Sequence, residues 1–127
     1  MSMKNIAVLV SGGGTNLQAL IDAQARGEIV NGRLSIVISS APEVYALERA
    51  KNAGIHNCVL DRKNYPSSQA MTAALVEKLK EFSIDLVVMA GFMTIVTHEL
   101  FEIYNNAVIN IHPALIPSFC GKGAYGL

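Results

Sequence analysis

Short apolar runs alternate along this chain with segments whose apolar residues recur every three or four positions. Ile6-Ala7-Val8-Leu9-Val10 is unbroken and short, as expected of a parallel strand covered on both faces. Leu17, Leu20 and Ile21 then form a helical stripe, with Thr15 and Asn16 as expected N-caps and Gly27 as a stop. Leu34-Ser35-Ile36-Val37-Ile38 predicts a second strand. Pro42 is expected to open a helix with Ala46, Leu47 and Ala50 inward and Gly54 at its end. Cys58-Val59-Leu60 predicts a third strand. Ser67 or Ser68 should cap a longer helix burying Met71, Leu75, Leu79 and Phe82. Leu86-Val87-Val88-Met89-Ala90 is the clearest central strand. A short helix near Thr97 to Tyr104 and a strand ending at Asn110 complete the series.

Five strands alternating with helices imply an α/β fold: a doubly wound parallel sheet with helices on both faces. The 127 residues fit one domain, 1–127, without a repeat or linker. With 51% hydrophobic and 16% charged residues the chain is globular rather than disordered. Ten basic and ten acidic residues cancel, and no Lys/Arg run offers a nucleic-acid footprint. Cys58 and Cys120 lack metal-ligand or redox-motif spacing and read as ordinary thiols of a reducing cytosol; no metal is expected. No apolar stretch approaches the ~20 residues of a membrane span. No signal peptide is apparent, so the expected setting is the cytoplasm.

The candidate chemistry lies where strands end. Ser11-Gly12-Gly13-Gly14-Thr15-Asn16 joins the first strand to the first helix. Glycines let backbone N–H groups approach an anion, and a helix N-terminus adds positive dipole. A tight turn alone would also use glycine, but this run after a first strand favours a phosphate site. A dinucleotide loop needs a third small residue where Leu17 stands, and an acid at the second strand's end, where Ser39-Ser40 stand. No Gly-Lys-Ser/Thr follows either, so a single phosphate monoester fits better than NAD or ATP.

The second candidate is Asn110-Ile111-His112-Pro113, directly after the apolar run Ala107-Val108-Ile109. In extended backbone, positions i and i+2 face one side, so Asn110 and His112 would leave a buried strand together. Pro113 disfavours the helical region for His112 and helps keep it extended. A strand-end cap and a satisfied loop histidine are the bland alternatives. The shared face favours a reaction centre. His56 and His98 are expected at the surface.

Val10-Ser11-Gly12-Gly13-Gly14-Thr15-Asn16-Leu17-Gln18, Ala90-Gly91-Phe92-Met93 and Asn110-Ile111-His112-Pro113-Ala114-Leu115-Ile116-Pro117 occur in this order. Together they closely resemble the glycinamide ribonucleotide formyltransferases, folate-dependent enzymes of purine synthesis with a Rossmann-like fold. Methionyl-tRNA formyltransferases share the Asn-x-His end but start differently. Formyltetrahydrofolate deformylases usually carry an extra N-terminal domain.

The resemblance implies formyl transfer from 10-formyltetrahydrofolate, as cosubstrate, to the amine of glycinamide ribonucleotide. It implies that Gly13, Gly14, Thr15 and Asn16, with Pro113, hold the ribonucleotide. It places Met93, Thr94, Ile95, Val96 and Asn110 at the folate, and makes Asn110 and His112 the catalytic pair. A second copy of the chain stays open as a partner.

The chain departs from the family in three respects. Relatives carry a catalytic Asp well downstream of Asn-x-His, whereas here no Asp or Glu follows Glu102. The chain is therefore read as the N-terminal part of a longer enzyme, incomplete before its C-terminal portion and expected to be inactive alone. Thr94 and Ser68 stand where relatives often have Arg, a residue suited to bidentate carboxylate contacts, which puts the grip on a folate glutamate tail in question. A noncatalytic ribonucleotide-phosphate module remains the alternative from a different class. A dehydrogenase is a weaker one.

Overall fold

The computed structural model describes residues 3–11, 14–42, 44–90, 98–104 and 106–111. Its elements run β1 (Lys4–Val10), α1 (Thr15–Ala25), β2 (Gly32–Ser39), α2 (Tyr45–Asn52), β3 (His56–Val59), α3 (Ser68–Glu81), β4 (Leu86–Ala90), α4 (His98–Ile103) and β5 (Val108–Ile111). A single turn of 3-10 helix at Arg62–Asn64 precedes α3. All five strands are parallel, in the order β3-β2-β1-β4-β5. The expected doubly wound sheet is therefore present. Its strand order reverses between β1 and β4, and ligands of open α/β sheets bind outside the carboxyl ends of strands at such a point.

The apolar runs are central because they are covered twice. Ala7, Leu9, Ile36, Ile38, Val87 and Met89 pack on one face with Leu75, Leu79 and Leu100, from α3 and α4. Ile6, Val8, Val10, Val37, Val88 and Ala90 pack on the other with Leu17, Ala46 and Ala50, from α1 and α2. β2 changes phase once. The register with β1 shifts between Ile6 and Ala7, so that Leu34 and Ile36 serve opposite cores with Ser35 between them.

Three helices end in the same way. In α1, Glu28 N donates to Ala23 O and Gly27 N to Gln24 O, a paired closure through a left-handed residue. Gly54 plays the part of Gly27 after α2, and Ser83, at φ 52°, plays it after α3.

Several boundaries differ from those expected. α2 starts at Tyr45, three residues beyond Pro42, with Val44 as N-cap. β3 starts at His56, earlier than the Cys58 run, and its pairing with β2 explains why: Ile36 pairs with His56 and Ser39 with Val59. β5 forms, but Ile109 is 49% exposed and Asn110 is exposed as well. Among the described residues β5 pairs only with β4.

Candidate active site

The glycine-rich loop leaves the carboxyl end of β1, beside the point where strand order reverses. Gly14 is the N-cap of α1, at φ 80° and ψ 35°. Two constraints meet there. Left-handed backbone disfavours any side chain. A Cβ at position 14 would also lie 2.8 Å from Ala46 Cβ and 3.0 Å from Ala46 Cα, so α2 packs directly on the loop backbone.

Because Gly14 occupies the cap, Thr15 and Asn16 are the first helical residues rather than the caps expected of them. No side chain caps α1, although Gln18 N donates to Gly14 O at 2.8 Å to begin the helix. The first amides of a helix have no partner inside it. Here they lie at the carboxyl edge of the sheet, where Thr15 is exposed and Asn16 half-buried. Leu17 is fully buried, so α1 is fixed to the core one residue after this row. Gly12 and Gly13 lie outside the described residues.

Hydroxyls tie the neighbouring strand ends together. Ser11 Oγ and Ser40 Oγ are 2.6 Å apart, joining the exits of β1 and β2. Ser39 is buried; its Oγ donates to Ala41 O at 2.6 Å and accepts from Ala41 N at 3.1 Å. Two turn-forming serines thus occupy the place where a dinucleotide site would hold a carboxylate for ribose.

Asn110 stands on the same edge. Cys58, Ile38, Leu9, Met89 and Asn110 form one row across the sheet, each paired with the next. Asn110 is the polar amide in a row otherwise of thiol, aliphatic and thioether side chains. β4 separates its strand from β1, so the two strand ends lie roughly 10 Å apart at ordinary strand spacing. Both candidate groups therefore flank the end of β4. His112, Pro113 and Met93 to Val96 lie outside the described residues, as do Ile116, Pro117 and Cys120.

The remaining candidates are structural or superficial. His56 is exposed and meets the Phe82 ring edge-on at 5.3 Å. His98 is 82% exposed, with Nε2 3.7 Å from Glu102 on its own helix. Burial pushes the Cys58 thiol up from its ordinary range, Lys78 offsets part of that, and Glu81 adds to it; the thiol is not activated as a nucleophile. Among the described residues no group of three or more His, Cys, Asp or Glu could hold a metal ion. No helix among them is long and apolar enough to cross a membrane.

Sequence reasoning missed the supports of the loop. Arg49 Nη1 donates to Gln18 Oε1 at 3.0 Å, and its Cζ lies 4.6 Å from the Tyr45 ring centroid. Gln18 stood inside the loop motif, but nothing in the sequence links it to Arg49, 31 residues on. The spacing of Arg49 four residues after Tyr45 was the one local signal.

Residues 4–127 match the protein family described as formyl transferase. The phosphoribosylglycinamide formyltransferase of Haemophilus influenzae is 42% identical over 123 residues, which is 97% of this chain and 58% of that protein. The trifunctional purine biosynthetic protein adenosine-3 of Homo sapiens is 42% identical over 94% of this chain and 12% of its own length. The crystal structure of glycinamide ribonucleotide transformylase 1 from Symbiobacterium toebii matches with a TM-score of 0.84 at 44% identity, over 92% of this chain and 55% of that one. The chain thus spans a little over half the length of these single-activity relatives.

Proposed function

This chain belongs to the formyl transferase family, and from that premise we propose that the protein moves a formyl group from 10-formyltetrahydrofolate to the primary amine of glycinamide ribonucleotide. The observation that carries the proposal is the pairing of two unlike groups across the end of β4. On one side is an uncapped helix start behind a left-handed glycine, suited to a phosphate. On the other is a lone amide at a strand end, suited to a carbonyl oxygen. The names of the relatives support the same substrate: they act as phosphoribosylglycinamide formyltransferases.

In this reading Gly13, Gly14, Thr15 and Asn16 grip the ribonucleotide phosphate. Backbone N–H groups and the Thr15 hydroxyl donate to its oxygens, and α1's dipole adds to the attraction. The glycinamide arm then extends past β4, with Pro113 beside it, towards Asn110. As the amine attacks the formyl carbon, negative charge develops on the formyl oxygen. The Asn110 amide donates to that oxygen, and such a preorganised donor contributes about 3–4 kcal/mol. His112 adds charge when protonated, and the proton lost by the amine is delivered to the folate N10 as the bond between N10 and the formyl carbon breaks, releasing tetrahydrofolate. Met93, Thr94, Ile95 and Val96 follow β4 and line the folate side. The proposed setting is a reducing cytoplasm, where a free thiol such as Cys58 stays reduced.

The 127 residues hold no Asp or Glu after Glu102. On their own they would bind ribonucleotide without the carboxylate that the family resemblance sets against His112, and turnover is assigned to the full-length protein. Transfer of an isotope-labelled formyl group to glycinamide ribonucleotide by that protein tests the reading. Labelled product is expected, and Asn110→Ala should lower kcat about 100- to 1000-fold. Absence of labelled product at high enzyme concentration would rule the activity out.

A further inference from the structure

Arg49 lies on the side of α2 that faces α1, and it is held there from several directions. Its Nη1 donates to Gln18 Oε1 at 3.0 Å. Its guanidinium stacks on Tyr45, one turn earlier in α2, at 4.6 Å from the ring centroid. Its Cδ comes within 3.4 Å of where a Cβ on Gly14 would be. Gln18 is itself oriented, because its Nε2 donates to Asp22 Oδ1 at 2.9 Å, which turns Oε1 towards the arginine. The Gln18 backbone N–H also donates to Gly14 O. A short chain of contacts therefore runs from Tyr45 through Arg49 and Gln18 to the N-cap of α1.

A free surface arginine keeps its rotamer freedom. Arg49 gives that up to sit beside a row of uncapped amides, and its aliphatic stem packs where only a glycine backbone leaves room. The guanidinium places a positive charge beside the loop.

We propose that Arg49 is a positioning residue for the phosphate site: pinned by Gln18 and Tyr45, it clamps α2 onto the Gly14 turn and biases the uncapped amides of α1 towards a phosphate dianion. The proposal rests on the ribonucleotide reading above and adds to it a residue that contacts the loop rather than the reacting atoms. Its effect is confined to substrates that carry the phosphate.

The test is steady-state kinetics of the full-length protein with glycinamide ribonucleotide and with its phosphate-free riboside. Arg49→Met keeps the stem and removes the charge and the fork. It should raise KM for the ribonucleotide about tenfold, the worth of one charge-assisted contact, with kcat at saturation within about twofold. KM for the riboside and for the formyl donor should not move. Arg49→Lys should recover part of the loss, since it restores charge without the planar fork. Gln18→Met removes the hydrogen bond from Arg49 while leaving its stacking on Tyr45, and should shift the ribonucleotide KM in the same direction by about threefold. This second variant carries the test if Arg49→Met does not fold.

An equal rise in KM for ribonucleotide and riboside would overturn the proposal, since that is general loosening of the fold. Unchanged preference for the ribonucleotide in both variants would overturn it too. A wild-type protein that does not distinguish ribonucleotide from riboside would instead defeat the phosphate-loop reading on which the proposal stands.

Discussion

Helices α1 and α3 begin with the same unsatisfied amides and treat them in opposite ways. At α3, Ser67 stands in extended backbone and its Oγ accepts from Ala70 N at 3.1 Å, closing the helix start with the chain's own hydroxyl. At α1 the cap is Gly14, which has no side chain to offer, while Thr15 and Asn16 have already passed into the helix. Satisfied amides make a stable helix end. Amides left without a side-chain cap, next to a backbone that α2 approaches too closely for any Cβ, are the ones we propose to receive the phosphate. On the proposed reading, the difference separates a structural helix start from a functional one.

The largest way to break the contrast is Gly14→Val. The substitution combines left-handed strain with overlap against Ala46, and should cost about 3 kcal/mol or more in denaturant unfolding. Ribonucleotide binding should vanish with it. Gly54→Ala is the control: it shares the left-handed backbone, at φ 74°, but no atom lies within 4 Å of the added carbon. It should cost only about 1–2 kcal/mol and leave binding intact, as read by calorimetry.

A crossed pair of variants sharpens the comparison further. Ser67→Ala should lower stability by about 1 kcal/mol with no change in ribonucleotide affinity. Thr15→Ala should do the reverse: stability within about 0.5 kcal/mol of wild type, and affinity down several-fold. Equal stability losses in the two variants would erase the distinction between the helix starts.

The smallest expected effect concerns Cys58, far along the sheet from the loop. Burial raises its pKa, so the reactive thiolate forms only at higher pH than for a free cysteine. In the folded protein it should react with iodoacetamide more slowly than in urea. Because the folded pKa is the higher one, its contribution to stability is complete below the ordinary thiol pKa. It is lost as pH rises from there through the folded value.

Much of this was legible in the residues. β1 and β4 were plain because a strand covered on both faces must be an unbroken apolar run, and the α3 cap was narrowed to Ser67 or Ser68 because serine caps with its own side chain. β5 was harder: its apolar run suggested burial, but among the described residues it pairs only with β4 and Ile109 is half-exposed. Thr15 and Asn16 looked like caps because residue type alone does not reveal that Gly14 turns left-handed and starts the helix one step earlier. The Ser11–Ser40 and Arg49–Gln18 contacts join residues 29 and 31 positions apart; the first exists only once β1 pairs with β2, the second only once α2 packs on α1. The loop was readable as a phosphate candidate, whereas its scaffold was not.

The most direct test of the open helix start is a 15N amide titration of the full-length protein with glycinamide ribonucleotide. The largest shifts are expected at Gly14, Thr15, Asn16 and Leu17, with the amides of Ser68 to Ala70 unmoved. Shifts that leave the start of α1 untouched while ribonucleotide still binds would contradict the account.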